Sequence, residues 1–508
     1  MESRTKNARR NMIFGIILKI YQIVVPFFMR TALLYWLGVN YLGLNSLYTS
    51  VLSVLNLTEL GVGAAMIYSM YKPVSESDEN KICALLKLYR QYYRIIGTVI
   101  ATIGLIITPF IPYLIKGDVP ADINVYILYL MNLASTVLSY WLFSYRASVL
   151  QAHQRADVIS KISLFTNTCQ YTIQLFVLWI SHNYYLYIVV MLITQVLNNL
   201  TTAFIVHKMY PNYKPEGDLS DNEKKSINRK IRDLFTAKFG AVVIGSVDTI
   251  VISSFLGLVQ LGIYQNYYYI INSVYGIVIV LFNSVLAGIG NSLITEKIEK
   301  NYNDFKKLSF ITSWLITICV CCFSVMYQPF MRIWVGNDLM LDDSYVYLFC
   351  ILFYVLALAM AWATVKDAAG LWHHDRFRPL IGAAANLCMN LIFVQVVGLY
   401  GIIISTVFSY VFISMPWLIH NLFKYLYKTD SKEYVLKLLF YVFVTVVCCT
   451  ITVLICKLFV FGDALSLVVY FLIAVIVSCL IQFLFYHKTP EFAESKRLVL
   501  KLIRGKGL

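Results

Sequence analysis

The sequence predicts an all-α integral membrane protein of about fourteen transmembrane helices, arranged as two six-helix lobes followed by a C-terminal pair. Three observations predict it. The 508-residue chain is 59% hydrophobic and 14% charged, with a mean hydropathy of +0.70, whereas a soluble domain is nearer half apolar and about a quarter charged. Its apolar runs repeatedly reach the roughly 20 residues that one bilayer crossing needs. A helical hairpin at Asn11–Tyr71 returns at Ala237–Lys297.

Helix 1 is predicted at about Asn11–Leu37. The basic stretch Arg4–Arg10 ahead of it mimics a secretory signal, but the apolar run is too long for one and contains Arg30, so it reads as an uncleaved span. Helix 2 (Tyr41–Tyr71) follows a Gly-bearing joint. Helix 3 (Ile95–Ile115) stops at Pro109, Pro112 and the Lys116-Gly117-Asp118 turn. Helix 4 (Ile123–Leu150) leads to the polar, basic stretch Gln151–Lys161. Helices 5 (Ile162–Ser181) and 6 (Tyr184–His207) are joined by a short turn. Pro211, Pro215, Gly217 and mixed charges mark 209–233 as a linker. Helices 7 to 12 are read at Leu234–Leu256, Leu261–Ile294, Leu308–Met331, Tyr345–Gly370, Leu380–Val397 and Tyr400–Phe423, and two more spans at Val435–Val460 and Leu465–Tyr486. A basic tail, Glu491–Lys506, is expected to lie on the membrane surface as an amphipathic helix. The domains are thus 1–208, a linker 209–233, 234–423, and 424–508.

Charge placement sets the orientation. With the N-terminus inside, the even-numbered turns hold Lys72, Lys81, Arg155, Lys161, Lys224, Arg376, Lys424 and Lys488, among others. The opposite side holds little beyond Lys116, Arg332 and Lys457. This asymmetry puts both termini in the cytoplasm and accounts for the net charge of +15 without nucleic acid. The outer loops are short and leave no room for an external catalytic domain. No G-x-x-x-x-G-K-[ST] loop is present, so the chain encodes no ATPase by that test. The eleven cysteines sit mostly in apolar runs, without disulfide or zinc spacing. His373-His374-Asp375 looks metal-like, but in a basic loop it reads as a solvated turn, and no metal or cofactor is expected.

The two halves match at several places. The joint Leu37-Gly38-Val39-Asn40-Tyr41-Leu42-Gly43-Leu44 pairs with Leu256-Gly257-Leu258-Val259-Gln260-Leu261-Gly262-Ile263. Leu60-Gly61-Val62-Gly63 pairs with Ala287-Gly288-Ile289-Gly290, Pro109-Phe110-Ile111 with Pro329-Phe330-Met331, and Leu150-Gln151-Ala152-His153-Gln154-Arg155 with Leu371-Trp372-His373-His374-Asp375-Arg376. The common offset is about 220 residues, or six helices, so the repeats run the same way through the membrane.

The G-x-x-x-LG joints at Gly38–Gly43 and Gly257–Gly262, the Leu150-Gln151-Ala152…Arg155 turn and the six-plus-six-plus-two plan resemble the polysaccharide (Wzx-branch) flippases of the multidrug/oligosaccharidyl-lipid/polysaccharide exporter superfamily. The resemblance implies a V of two lobes around a central cavity lined by helices 1 and 7. It implies an undecaprenyl-diphosphate-linked oligosaccharide as substrate, moved from the inner to the outer leaflet of a bacterial cytoplasmic membrane for capsule or O-antigen-like polymers. The polymerase and glycosyltransferases of that pathway are the partners it suggests. The rivals are an ion-coupled drug antiporter of the same superfamily and, with less support, a membrane polysaccharide polymerase.

Such a substrate needs a wet, cationic path, because neither sugar nor diphosphate crosses hydrocarbon unaided. Arg30, a turn past Pro26, is the foremost phosphate candidate, followed by Lys19; the alternative is snorkelling to the interface. Asp248, mid-span in helix 7, is read as pairing with Arg30 or carrying a coupling ion, and Glu59 as pairing with Lys19. Arg146 and the Lys366-Asp367 pair, at repeat-related helix ends, either greet the diphosphate or anchor at the interface. Asn167, Gln170 and Gln174, and likewise Asn386 and Asn390, share helix faces. They line a sugar path or hydrogen-bond between helices.

Overall fold

The computed structural model describes residues 4–59, 61–459 and 461–503. They form nineteen α-helices joined by short 3₁₀ and π turns, with no strand among them. Ten helices are long and apolar enough to cross a membrane, and eleven if a pair bent by 46° is one span. The chain is thus a multi-pass membrane protein. It packs as two compact units, Met1–Gly262 and Ile263–Leu508.

In the first unit, α1 (Arg4–Trp36) is followed by α2 (Val39–Leu55), α3 (Val62–Glu76) and α4 (Glu79–Ile107). After them come α5 (Val125–Trp141), α6 (Ala147–Ala152), α7 (Ala156–Ser181), α8 (Tyr184–Met209) and α9 (Asp221–Leu256). α1 packs along α7, α7 on α8, and α2 on α9. Two expected long helices are broken. The second stops at a 3₁₀ turn, Asn56–Glu59, and restarts after Gly61, whose φ of 91° is left-handed and suits only glycine well. The fourth breaks at Phe143, itself at φ 58°. These breaks leave α2, α3 and α5 too short to qualify alone. This is part of the reason ten helices satisfy the length-and-composition test where fourteen were predicted.

The linker is also shorter than expected. α9 starts at Asp221, because Ser220 accepts from the Glu223 backbone N–H while the Glu223 carboxylate accepts from the Ser220 N–H, a reciprocal cap. Polar contacts tie the segment to α4: Lys81 to Glu223, Lys87 to Asp218 at 3.0 Å, and Tyr92 to Asn228 at 2.7 Å.

α10 (Leu258–Thr295) leads into the second unit. There α11 (Ile298–Val335), α12 (Asp343–Ala368), α13 (Trp372–Asp375), α14 (Arg378–Val397) and α15 (Leu399–Ser409) follow. α16 (Met415–Asn421) lies between two π-helical stretches, and α17 (Lys432–Lys457), α18 (Asp463–Tyr486) and α19 (Pro490–Ile503) complete the chain. α17 and α18 pack directly on α11. In lipid no hydrophobic force drives helices together, so close packing and interhelical hydrogen bonds must hold them. The seam supplies both. Thr317 bonds Thr445 at 2.7 Å, Ser309 bonds Tyr434 at 3.0 Å, and Trp362 donates to Tyr434 at 2.6 Å. The tail helix α19 is docked on this unit rather than lying free. Phe492 stacks on Trp314, and Glu491 accepts from Lys437 at 2.6 Å. The predicted tail ran on to Lys506, and 504–506 lie outside the described residues.

Candidate functional site

α1 mixes exposed apolar residues with half-buried charged ones. Met12, Ile16, Ile20, Val24 and Phe28 recur every fourth residue and are all exposed. That stripe suits contact with acyl chains. Lys19, Pro26 and Arg30 fall at i, i+7 and i+11, which places them on one side of the helix, below Met12 and beside Ile16, with the two cations about 16 Å apart along the axis. Both are half-buried. The helix is held against α7 by the Tyr21 and Thr168 hydroxyls, 3.0 Å apart, and by the Tyr21–Tyr171 ring contact. Asn167, beside Thr168, is half-buried and makes no hydrogen bond among the described residues. Pro26 removes one backbone donor from the helix, a usual cause of a bend.

The carboxylates are placed differently. Asp248 of α9 is buried. Glu59, in the turn between α2 and α3, accepts from the Tyr93 hydroxyl at 3.1 Å, and Tyr93 accepts from Tyr89 at 2.8 Å. Its expected partner Lys19 makes no ion pair among the described residues.

The polar residues of α7 and α14 bond both within their helices and to neighbouring ones. Gln170 accepts from Thr194 at 3.0 Å and donates to Gln174 at 3.4 Å, and Gln174 reaches the Tyr187 carbonyl at 3.0 Å. Asn386 and Asn390 are fully buried; Asn386 donates to Thr406 at 3.0 Å and accepts from Asn390 at 3.3 Å.

The repeat-related cations are both occupied. Arg146 donates to the Tyr213 carbonyl at 3.0 Å. Lys366 is buried, pairing with Asp367 at 2.6 Å and Asp375 at 3.0 Å, while Arg378 grips Asp375 with two bonds of 2.7 and 2.9 Å. Asp375 is therefore a structural anion rather than part of a solvated turn. Among the described residues no cluster of three or more His, Cys, Asp or Glu is placed to hold a metal.

Asp157, near the start of α7, is not among the site residues expected from the sequence. Its side chain is completely buried and faces Arg10 at 2.9 Å, Arg155 at 3.1 Å and Lys161 at 3.4 Å. Burial opposes its ionisation, but Arg155, Arg10 and Lys161 together hold the carboxyl below its usual range. Asn11 completes the knot, accepting from the Asp157 N–H at 2.9 Å and donating to the Gln154 carbonyl at 2.8 Å. This knot anchors the start of α1. The spacing Arg155-x-Asp157-x-x-x-Lys161 was the available signal.

At the other end of α1, the two Gly-bearing joints meet. Gly38 (φ 101°, ψ 176°) and Gly257 (φ 93°, ψ 175°) have the same backbone, and each N–H reaches the carbonyl five residues back, at 3.2 and 3.1 Å. A Cβ on Gly43 would stand 2.4 Å from the Leu258 carbonyl oxygen, and one on Gly262 would stand 2.6 Å from that of Val39. The contact is reciprocal: each joint offers a glycine to the other's backbone.

No family model matches the chain, and no curated relative matches it by sequence. Solved structures do match in fold. The lipid II flippase MurJ in an inward closed conformation aligns with a TM-score of 0.67 at 16% identity, covering 94% of this chain and 99% of that one. An inward-facing multidrug resistance MATE family transporter of the MOP superfamily aligns at 0.60 and 12% identity, covering 80% and 97%. A mutant of the Vibrio cholerae MATE transporter VcmN aligns at 0.56 and 16%, covering 84% and 99%. The chain has the fold these exporters share.

Proposed function

We propose that this chain is a flippase that carries an undecaprenyl-diphosphate-linked oligosaccharide repeat unit from the cytoplasmic to the outer leaflet by alternating access, for assembly of a surface polysaccharide. Both termini then lie in the cytoplasm. The observation that carries the reading is the cationic face of α1. Lys19 and Arg30 share one side of α1 and are half-buried inside a candidate membrane span. Fixed cations at that depth are costly unless they serve an anion or a wet path. The likeness to a structure named as a lipid II flippase, over nearly the whole chain, supports the same direction.

In this mechanism Arg30 takes the diphosphate through its planar fork, which suits bidentate phosphate contact better than an ammonium does. Lys19 receives the charge earlier, about three helical turns nearer the α1 start. Asn167 supplies free amide bonds to sugar hydroxyls. Asp248 carries the coupling ion or balances Arg30 when substrate has left.

Transport of a labelled lipid-linked oligosaccharide in proteoliposomes tests the reading. Arg30→Ala should abolish flipping while protein level and thermal stability stay near wild type, and Arg30→Lys should retain part of it. Undiminished flipping by Arg30→Ala would sink the phosphate role. Buried Asp248 also favours a second reading, an ion-coupled exporter of cationic compounds, since a buried acid suits a cation. Efflux of a cationic dye by wild type, lost in Asp248→Asn, with no lipid flipping would establish that reading instead.

A further inference from the structure

Where α10 turns into α11, two cavities meet. One, of about 300 Å³, is walled chiefly by Val285, Ile289, Leu293, Phe305, Leu308 and Ile311. The other, of about 540 Å³, is charged, with Lys297, Lys300, Arg497, Glu299 and Glu494 on its walls. Asp304 and Lys307 belong to both. Most of these charges are already matched: Lys307 pairs with Asp304 at 2.7 Å and Glu494 at 3.3 Å, and Lys300 pairs with Glu296. Lys297, Arg497 and Glu299 make no ion pair among the described residues. The charged cavity therefore offers two open cations and one open carboxylate, directly above an apolar slot.

Length fits the same pattern. α10 and α11 join at the turn 296–297. From that turn to Val285 the slot runs about 16 Å along α10, room for much of an acyl chain. Leu281 and Val285 are exposed along the descent, so the slot opens sideways to lipid.

We infer that this pair of cavities binds one membrane phospholipid with an amine-bearing headgroup. Its phosphate meets Lys297 and Arg497, its ammonium meets Glu299, and one acyl chain fills the slot. The mixed signs suit an aminophospholipid better than a purely anionic one. The proposal uses none of the α1 cations and does not depend on the transport reading.

Native mass spectrometry of the full chain in detergent, titrated with phosphatidylethanolamine, phosphatidylglycerol or soluble phosphoethanolamine, tests it. Wild type should retain one phosphatidylethanolamine that Lys297→Ala/Arg497→Ala binds roughly tenfold to thirtyfold more weakly. Gly288→Phe should displace the same lipid. Gly288 lines the slot, and a Cβ there meets nothing within 4 Å, so the ring enters open space. Glu299→Gln should erase the preference for phosphatidylethanolamine over phosphatidylglycerol. Unchanged binding in the double variant, whose side chains are surface groups that folding does not need, would overturn the proposal. So would displacement of the lipid by soluble phosphoethanolamine at equal concentration, because the acyl slot would then contribute nothing.

Discussion

Two turns, 220 residues apart in a repeated chain, solve one problem differently. Each buries a carboxylate where helices meet at a basic loop. Asp157 is surrounded by Arg10, Arg155 and Lys161, whereas Asp375 is held by Lys366 and Arg378. The acid does not occupy matching positions: in the repeat register Asp375 stands opposite Gln154. The cations also come from different distances. Those of Asp375 lie within nine residues of it, while Arg10 comes from near the start of α1, nearly 150 residues away in sequence. What the two turns share is a physical requirement: a buried anion keeping clustered cations together. Only the first turn uses it to tie down the helix that carries Arg30.

The largest effect that would break this comparison is loss of the acid. Asp157→Ala leaves three cations facing one another, and removing one partner of a buried ionic group costs about 3–5 kcal/mol. Thermal unfolding in detergent should show it plainly, and Asp375→Ala should cost less because two cations rather than three are stranded. Equal losses would mean that the third cation at Asp157 contributes nothing. Under the proposed flippase reading, Asp157→Ala should also lower flipping beyond its effect on protein level, because it releases α1, whereas Asp375→Ala should not.

The glycine joints provide the next test. Gly43→Ala and Gly262→Ala each push a Cβ into backbone carbonyl oxygen, so each should destabilise by about 1–3 kcal/mol. If the contact is reciprocal, their costs should be similar, and the double variant should cost less than the sum because the first shift already opens the gap. A silent Gly262→Ala beside a damaging Gly43→Ala would show the contact to be one-sided.

The smallest effect is on pH. Lys81 and the Ser220 cap pull the Glu223 carboxyl down to about 2. A depressed carboxylate stabilises above its unfolded value, roughly 4.3, and loses that contribution as pH falls toward its folded value. Glu223→Gln should therefore be slightly less stable than wild type at neutral pH and indistinguishable near pH 2. Because the group is partly exposed, added salt should shrink the difference. Asp157, also depressed, should show the same sign, with stability flat from neutral pH and falling once pH drops below about 3.9.

Periodic and local signals were legible in the sequence. Apolar runs located the long helices, and the paired G-x-x-x-LG joints were visible as a repeat. The start of α9 escaped the linker reading, although Ser220-Asp221-Asn222-Glu223 has the capping-box spacing. What else escaped depends on distant partners or on one residue's backbone. Nothing near Asp157 announces Arg10 and Asn11, which arrive from nearly 150 positions away. The breaks at Asn56–Gly61 and Phe143 occur inside apolar runs that read as continuous helix, because hydropathy reports solvent and not φ. The shared faces of Gln170, Gln174, Asn386 and Asn390 left a sugar path and bonding between helices both open in the sequence. Gln170, Gln174 and Asn386 each bond a neighbouring helix, and Asn390 bonds Asn386 on its own helix.

The reciprocal contact of Gly43 with Leu258 and Gly262 with Val39 has the form of a homodimer interface, in which residue i of one copy meets j of the other and j meets i. A side chain added at either glycine therefore presses on the backbone of the other joint, so the two positions are tied to one another and neither can enlarge alone.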